Sequence, residues 1–363
     1  MDAVYGAPMN ALLLFLTSYG PMHVALGVVH IAMWRAFRAA RRARVVFPCA
    51  LAVALLLVLV DYLVRPYTFR LAGEGTNLLF LHAPLVLLAL AWHGRHRRWP
   101  SRLALTLACV LIGVGVDAFL YEPCALRIQQ HRAPAPFSLH VAVMSDFQAM
   151  EIGAYERDVL AQLGALNADL VLLAGDYLQV PGGNRAEVVT AFRAVWQSAN
   201  IHPRLGVYAV RGDQEGSDWE SELFAGLDVH TSDKTVAVEA GPVHLNMLSL
   251  YDSTDPDFRM PSPTRGWQIT LGHRPEFAMG HGPPGLFVAG HTHGGQVQIP
   301  FYGPPIIFSL VSRAWGAGGM HVVDAERQVL VTRGAGVEHN TDSPPLRFNC
   351  RPEIVELTLE PRE

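Results

Sequence analysis

The sequence predicts an α-helical transmembrane region of four spans followed by an α/β domain built as a four-layer α-β-β-α sandwich. Three observations carry this. Apolar stretches of bilayer-crossing length crowd the first third of the chain. From Ser138 onward, short β-type runs alternate with helical patterns, which implies βαβ units and a mostly parallel sheet. The charge divides at the same border: Met1 to Leu126 carries 11 Arg against 5 acidic residues, and the remainder 17 basic against 27 acidic. The layout that follows is a membrane region over 1–126, a linker over 127–137 and a soluble domain over 138–363. A net-negative soluble part repels a phosphate backbone, so nucleic acid is not an expected partner.

The four spans run from about Ala11 to Trp34, Val45 to Val64, Thr76 to Trp92 and Leu103 to Leu120. A cleaved signal peptide fits poorly, because the first span lacks a basic n-region and three more follow it. The loops set the orientation. "RAFRAARRAR" (Arg35 to Arg44) holds five Arg and "GRHRRWPSR" (Gly94 to Arg102) four, while the N-terminal tail has Asp2 and no basic residue. Positive charge stays on the cytoplasmic side, so both termini lie outside and the soluble domain is extracytoplasmic on an inner (plasma) membrane. The third span carries His82 and Pro84 and is short; without it the same rule puts the domain in the cytoplasm. The four Cys form no metal-type pair; Cys124 and Cys350 read as free thiols, with a bridge between them the alternative.

In the soluble part, "SLHVAVMSD" is a strand ending in Asp146, "ADLVLLAGD" one ending in Asp176 and "GVYAVRGD" one ending in Asp213. Between them lie amphipathic helices at Ile152 to Leu166 and Ala186 to Ala199. "WQITLGH" ends in His273, and "PGLFVAGHTHGG" is an apolar strand followed by His291 and His293. "GGMHVVDA", "RQVLVTRGAG" and "EIVELTLE" add β-rich text, and two mixed sheets packed together with helices outside account for the whole. Ligand groups in such sheets sit just beyond the carboxyl ends of strands. Asp146, Gln148, Asp176, Asp213, His273, His291 and His293 all occupy that kind of position. Three carboxylates and three imidazoles there suit hard to borderline divalent ions.

The segments "SDFQ", "GDY", "RGDQE", "GHRPEF" and "GHTHGGQ" resemble, in order and spacing, the motifs of the calcineurin-like metallophosphoesterases. "GHTHGGQVQIP" and "LRFNCRPEIVELTL" are most similar to the membrane-anchored, YkuE-like branch. The resemblance covers Ser138 to about Leu359 and implies the metallophosphoesterase form of the sandwich. It implies two divalent metals bridged by Asp176, one held by Asp146, Gln148 and His293, the other by Asp213, His273 and His291. The implied reaction is attack of a metal-activated water on phosphorus.

Three positions depart from the family's D-x-H and G-N-H motifs. Gln148 stands for a histidine and favours Mn²⁺, with Mg²⁺, Fe²⁺ and Zn²⁺ compatible. Asp213 stands for an asparagine and adds a charge. Gln214 stands for the histidine that contacts phosphate and serves as acid; its amide donates a hydrogen bond but delivers no proton. Glu215 and His281 are the candidates to replace that acid, and Arg211 and Arg274 the candidate phosphate clamps. Three functions compete. The first is a membrane-anchored phosphoesterase acting on phosphodiesters or pyrophosphates with good leaving groups, small or lipid-linked. The second is a binding or sensing module of the same fold, motivated by Gln214. The third, a channel or transporter with a regulatory domain, has little support from the spans, which carry few polar residues and no repeat.

Overall fold

The computed structural model describes residues 75–361 apart from 77, 97, 181–182, 260–265 and 339–344, together with Gly27 and Ile31. The chain divides into two compact units, one chiefly 8–120 and the other 121–338 with 346–363.

In the first unit, the two leading spans, apart from Gly27 and Ile31, lie outside the described residues. At the third, a π-helical turn (Leu78–His82) runs into α1 (Ala83–His93), and this Leu78–His93 segment is shorter than a bilayer crossing needs. After it comes α2 (Arg98–Val116), prolonged by irregular turns to Cys124; over its 27 residues this is the one helix among those described that is long and apolar enough to cross a membrane. The expectation of four spans therefore rests on one crossing-length helix here. Phe80 meets Phe119 edge to face with centroids 5.5 Å apart, and Ser101 Oγ donates to the Ala91 carbonyl at 2.6 Å, which ties α1 to α2.

In the second unit, twelve strands form two six-stranded sheets. They are β1 (Arg127–Pro134), β2 (Leu139–Met144), β3 (Leu170–Leu173), β4 (Val207–Val210), β5 (His230–Ser232), β6 (Val236–Ala240), β7 (Val243–Met247), β8 (Gln268–Leu271), β9 (Gly285–Ala289), β10 (Gly319–Val322), β11 (Arg327–Val331) and β12 (Glu353–Glu360). One sheet runs β1-β12-β2-β3-β4-β5 and the other β10-β11-β9-β8-β7-β6. Within them β2, β3 and β4 are parallel, as are β7, β8 and β9, so each set presents its carboxyl ends along one edge.

Strands buried on both faces read as mainly apolar runs, and β2, β3, β4 and β9 do so, whereas β8 (QITL) is buried but alternates Gln268 and Thr270 with Ile269 and Leu271. Between the sheets, Val141, Val143, Leu170 and Leu172 meet Leu245, Ile269, Leu271 and Val288. Each such side chain contributes about 1.5–3 kcal/mol by leaving water. The outer face of the first sheet is covered by α3 (Ala154–Ala165) and α4 (Arg185–Ser198). Glu156 opens α3 by accepting the Gly153 N–H at 2.9 Å, which occupies a donor the helix start leaves unpaired. Val188, Val189, Phe192, Val195 and Trp196 form the helical stripe by which α4 packs down. The outer face of the second sheet carries short turns instead of long helices; Phe277 and Ala278 of one such turn pack on Phe287, Ala289 and Val331.

The Pro-rich stretch expected to be a linker over 127–137 is largely a strand. β1 pairs in parallel with β12 from Arg127–Glu353 to Pro134–Glu360. Its side chains are mostly half-exposed, so no apolar alternation marks it. Its proline falls at the end of an edge strand, where a missing N–H breaks no ladder. The two thiols expected to be free, Cys124 and Cys350, are free, and Cys350 is buried.

Candidate metal centre

Five strand-end loops converge. Asp146 and Gln148 follow β2, Asp176 follows β3, Asp213 follows β4, His273 follows β8, and His291 and His293 follow β9. Five of these seven have positive φ: Asp146 at 49°, Gln148 at 41°, Asp176 at 59°, His291 at 68° and His293 at 50°. Non-glycine residues avoid this region, and strain of this kind concentrates where a site must aim its side chains. The loops brace one another: Asp146 N–H donates to the Gly175 carbonyl at 2.8 Å and Gln148 N–H to the Asp176 carbonyl at 2.9 Å.

Ligand-type atoms gather in two groups, Asp146–Asp176–His293 and Asp213–His273–His291, each within 4.8 Å. Asp176 Oδ2 touches both: it accepts from Gln148 Nε2 at 3.0 Å and lies 3.5 Å from His273 Nε2. Second contacts settle which imidazole nitrogens face inward. His273 Nδ1 bonds the Ala174 carbonyl at 2.7 Å, which requires a proton there and directs Nε2 to Asp176 and Asp213, each at 3.5 Å. His291 Nε2 bonds the Phe308 carbonyl at 3.0 Å, which directs Nδ1 to Asp213 Oδ2 at 2.9 Å. His293 Nε2 lies 3.5 Å from Asp146 Oδ1.

The donor set fits divalent cations. Gln148 Oε1, His273 Nε2 and His293 Nε2 are buried without a hydrogen-bond partner among the described residues. Native structures rarely strand such atoms without a cause, and three of them on residues that adjoin clustered carboxylates are accounted for by bound cations. The charge environment agrees. Burial pushes the Asp146 carboxyl up to about 6. Burial also opposes the charge on His273, but Asp176 and Asp213 outweigh it and hold that imidazole well above its ordinary value. Burial likewise opposes ionisation of Asp213, and His273 and His291 reverse it, holding the carboxyl well below its ordinary range. The same negative field that draws protons onto these rings draws a divalent cation.

The remaining expected residues divide. Gln214 is half-buried beside the cluster, and its backbone N–H donates to Asp176 Oδ1 at 2.8 Å. Arg274 is at the site but engaged, with Nη2 and Nε each 3.0 Å from Asp213 Oδ2. The structure does not bring Arg211 in: its nitrogens go to the Glu215 carbonyl at 3.0 and 3.1 Å and to Asp233 at 3.2 Å. Glu215 is buried, and its carboxylate accepts backbone N–H groups of Asp176 at 2.9 Å, Tyr177 at 2.7 Å and Gly212 at 2.9 Å. It clamps two ligand loops together and is not turned to substrate. His281 is exposed on the loop before β9.

Two residues at the centre escaped sequence reasoning. Glu338 accepts from Gln148 Nε2 at 2.7 Å, and Arg347, fully buried, donates to the His293 carbonyl at 3.2 Å and the Arg333 carbonyl at 2.8 Å. Glu338 does follow a strand, β11, as the ligands follow theirs, and that was the available signal. Arg347 lies in the segment "LRFNCRPEIVELTL", whose resemblance to the family was its available signal.

Two facing mixed sheets, with carboxylates and imidazoles brought to one strand-end edge in two groups, define a metal-dependent α/β hydrolase site. The chain belongs to the metallophosphoesterase family. It is 38% identical over 271 residues to the metallophosphoesterase YkuE of Bacillus subtilis (strain 168), a match spanning 68% of this chain and 90% of that protein. Over 94 residues, 25% of this chain and 32% of the relative, it is 36% identical to the phosphodiesterase YaeI of Escherichia coli (strain K12). No family model matches the sequence. Family membership and the two ligand groups make it a metal-dependent phosphoesterase in class.

Proposed function

We propose that this chain is a membrane-anchored phosphoesterase that hydrolyses phosphodiester or pyrophosphate bonds with good leaving groups, in substrates carrying an apolar tail. The observation that carries it is the set of three buried, partnerless ligand atoms arranged about Asp176. When bound, two divalent cations, Mn²⁺ above others, supply an activated water and neutralise phosphoryl oxygens. Asp146, Gln148 and His293 would hold one and Asp213, His273 and His291 the other, with Asp176 beside both groups. Arg274, drawn to Asp213 in this structure, is placed to exchange that carboxylate for a phosphoryl oxygen. The Gln214 amide donates to the same group.

The tail is argued from the rim. Phe308, whose carbonyl holds His291, lies in an uncharged stretch from 294 to 312 that exposes Ile299, Phe301, Tyr302, Ile306 and Leu310. Uncommitted apolar surface beside a site marks a binding face. The crossing-length helix of the same chain supports a lipid-linked substrate. The Arg-rich loops support an extracytoplasmic domain on the inner membrane. Proteinase K added to intact spheroplasts should remove the domain, and a protected domain would reverse that orientation.

Gln214 and Glu215 also favour a second reading, a metal-binding module without turnover, because neither delivers a proton to a leaving oxygen. Leaving-group dependence separates the two. The parent protein with Mn²⁺ is expected to hydrolyse an activated aryl phosphodiester and to be poor on alkyl diesters. Gln214→His should raise alkyl-diester turnover by roughly 10²-fold and change aryl turnover little. Mn²⁺ binding without hydrolysis of either substrate by the parent selects the binding module; equal gains on both substrates reject the acid argument.

A further inference from the structure

Gln148 presents a problem of orientation. A glutamine is useful to a cation only through Oε1; with the amide turned over, two N–H groups point at the metal and repel it. Both ends of the amide are nearly the same size, so packing alone does not choose. Here the choice is made by acceptors. Gln148 Nε2 lies 3.0 Å from Asp176 Oδ2 and 2.7 Å from Glu338 Oε2. Ionised carboxylates accept and do not donate, so the nitrogen must be the end that meets these two oxygens, which leaves Oε1 as the end of the amide open to a cation. That carbonyl oxygen is buried and partnerless. Asp176 alone is a poor anchor, because its oxygens are shared between both ligand groups. Glu338 is anchored from outside: Gln179 Nε2 donates to its Oε1 at 2.7 Å, and its backbone N–H donates to Gln296 Oε1 at 3.0 Å. Its Oε2 also lies 3.8 Å from His293 Nε2, which places a negative charge beside the same ligand group.

We infer that Glu338 is the positioning residue that makes Gln148 a metal ligand, by locking its amide with Oε1 toward the cation shared with Asp146, Asp176 and His293. The inference rests on reading that group as a metal site. It assigns Gln148 and Glu338 as one unit: a neutral, freely turning amide replaces an imidazole, and a carboxylate 190 positions away fixes its direction and adds charge. Outer partners of this kind typically change metal affinity by about 10–100-fold.

The test is Mn²⁺ binding to the purified full-length protein in detergent, followed by calorimetry and by the Mn²⁺ electron paramagnetic resonance signal, with no substrate present. Glu338→Ala is expected to weaken one of two Mn²⁺ sites by about tenfold or more and leave the other within about twofold. The isosteric Glu338→Gln, which loses the obligatory acceptor but keeps the shape, is expected to weaken the same site, and it carries the test should the alanine variant not fold. In a Gln148→His background the same Glu338 substitutions should cost several-fold less, since an imidazole needs no such lock. Unchanged affinity in both Glu338 variants overturns the inference and leaves the metal site standing. So does an equal loss with and without Gln148→His, which would mean that Glu338 acts by charge alone. A parent protein that binds no Mn²⁺ overturns the metal reading itself.

Discussion

Asp176→Asn is expected to lower Mn²⁺-dependent turnover of an aryl phosphodiester by roughly 10³-fold or more while leaving the fold intact. The substitution is mild for the backbone. Asp176 sits at φ 59°, a conformation that asparagine accepts as readily as aspartate. The bond from the Gln214 N–H to Oδ1, 2.8 Å long, survives, because an amide oxygen accepts it as well. What changes is the other oxygen. In its place an NH₂ group faces Gln148 Nε2 and His273 Nε2, which lie 3.0 and 3.5 Å from Oδ2. Donor then opposes donor at Gln148, and the charge common to both ligand groups is gone. Mn²⁺ affinity should therefore fall at both sites together, and thermal stability in chelator should fall modestly as well, because the attraction between Asp176 and the His273 ring is lost. Turnover within tenfold of the parent would remove Asp176 from the centre of the chemistry.

Gly290→Ala is expected to have the next largest effect, and for a steric reason. Gly290 closes β9, and a Cβ there would sit 2.4 Å from Asp146 Oδ2 and 2.6 Å from Ser145 Oγ. Neither neighbour has room to withdraw. Ser145 Oγ is bonded to Asp146 and to Thr332, and the Asp146 carboxylate takes the His291 N–H at 2.9 and 3.0 Å. A displacement of about 1 Å at a reacting centre costs on the order of 10²-fold in rate. Overpacking of this kind costs about 1–3 kcal/mol in stability, readable by chemical denaturation. Gly183→Ala is the control, since a Cβ at Gly183 meets nothing within 4 Å. Parental Mn²⁺ affinity in Gly290→Ala would show that Asp146 is not a ligand.

Much of this centre is legible in the sequence because its ligands sit on a simple rule. β2, β3, β4 and β9 are mainly apolar runs and β8 a short half-apolar one, and each is followed within a few residues by Asp, Gln or His; parallel pairing then brings those ends together. Helices α3 and α4 were legible from their apolar stripes to within two residues at either end. The sequence hides what depends on long-range pairing. β1 reads as a linker because Arg127, Gln129, Gln130 and Arg132 leave no apolar face, and its hydrogen bonds go to a strand at the far end of the chain. Glu338 meets Gln148 only in the folded protein, and Arg347 matters because burial turns its guanidinium onto backbone carbonyls around His293. Arg211 shows the opposite error: a basic residue next to a ligand loop looks like a phosphate clamp until its partners, Glu215 and Asp233, are seen.

The place of β12 has a consequence for biogenesis. β12, made more than 200 positions after β1, is inserted between β1, which emerges just after the crossing-length helix, and β2. Until β12 arrives, β1 has no neighbour in the sheet and β2 keeps an open edge, so the first sheet cannot close before β12 is made. Pairing across more than 200 positions is slow because the intervening chain must be gathered first. A nascent domain held in this state exposes unpaired strand edges, a template for association with other chains. The same arrangement makes β12 indispensable: its loss would detach β1 from the sheet and leave Arg333, whose backbone N–H is held by Glu353 at 3.0 Å, without that anchor.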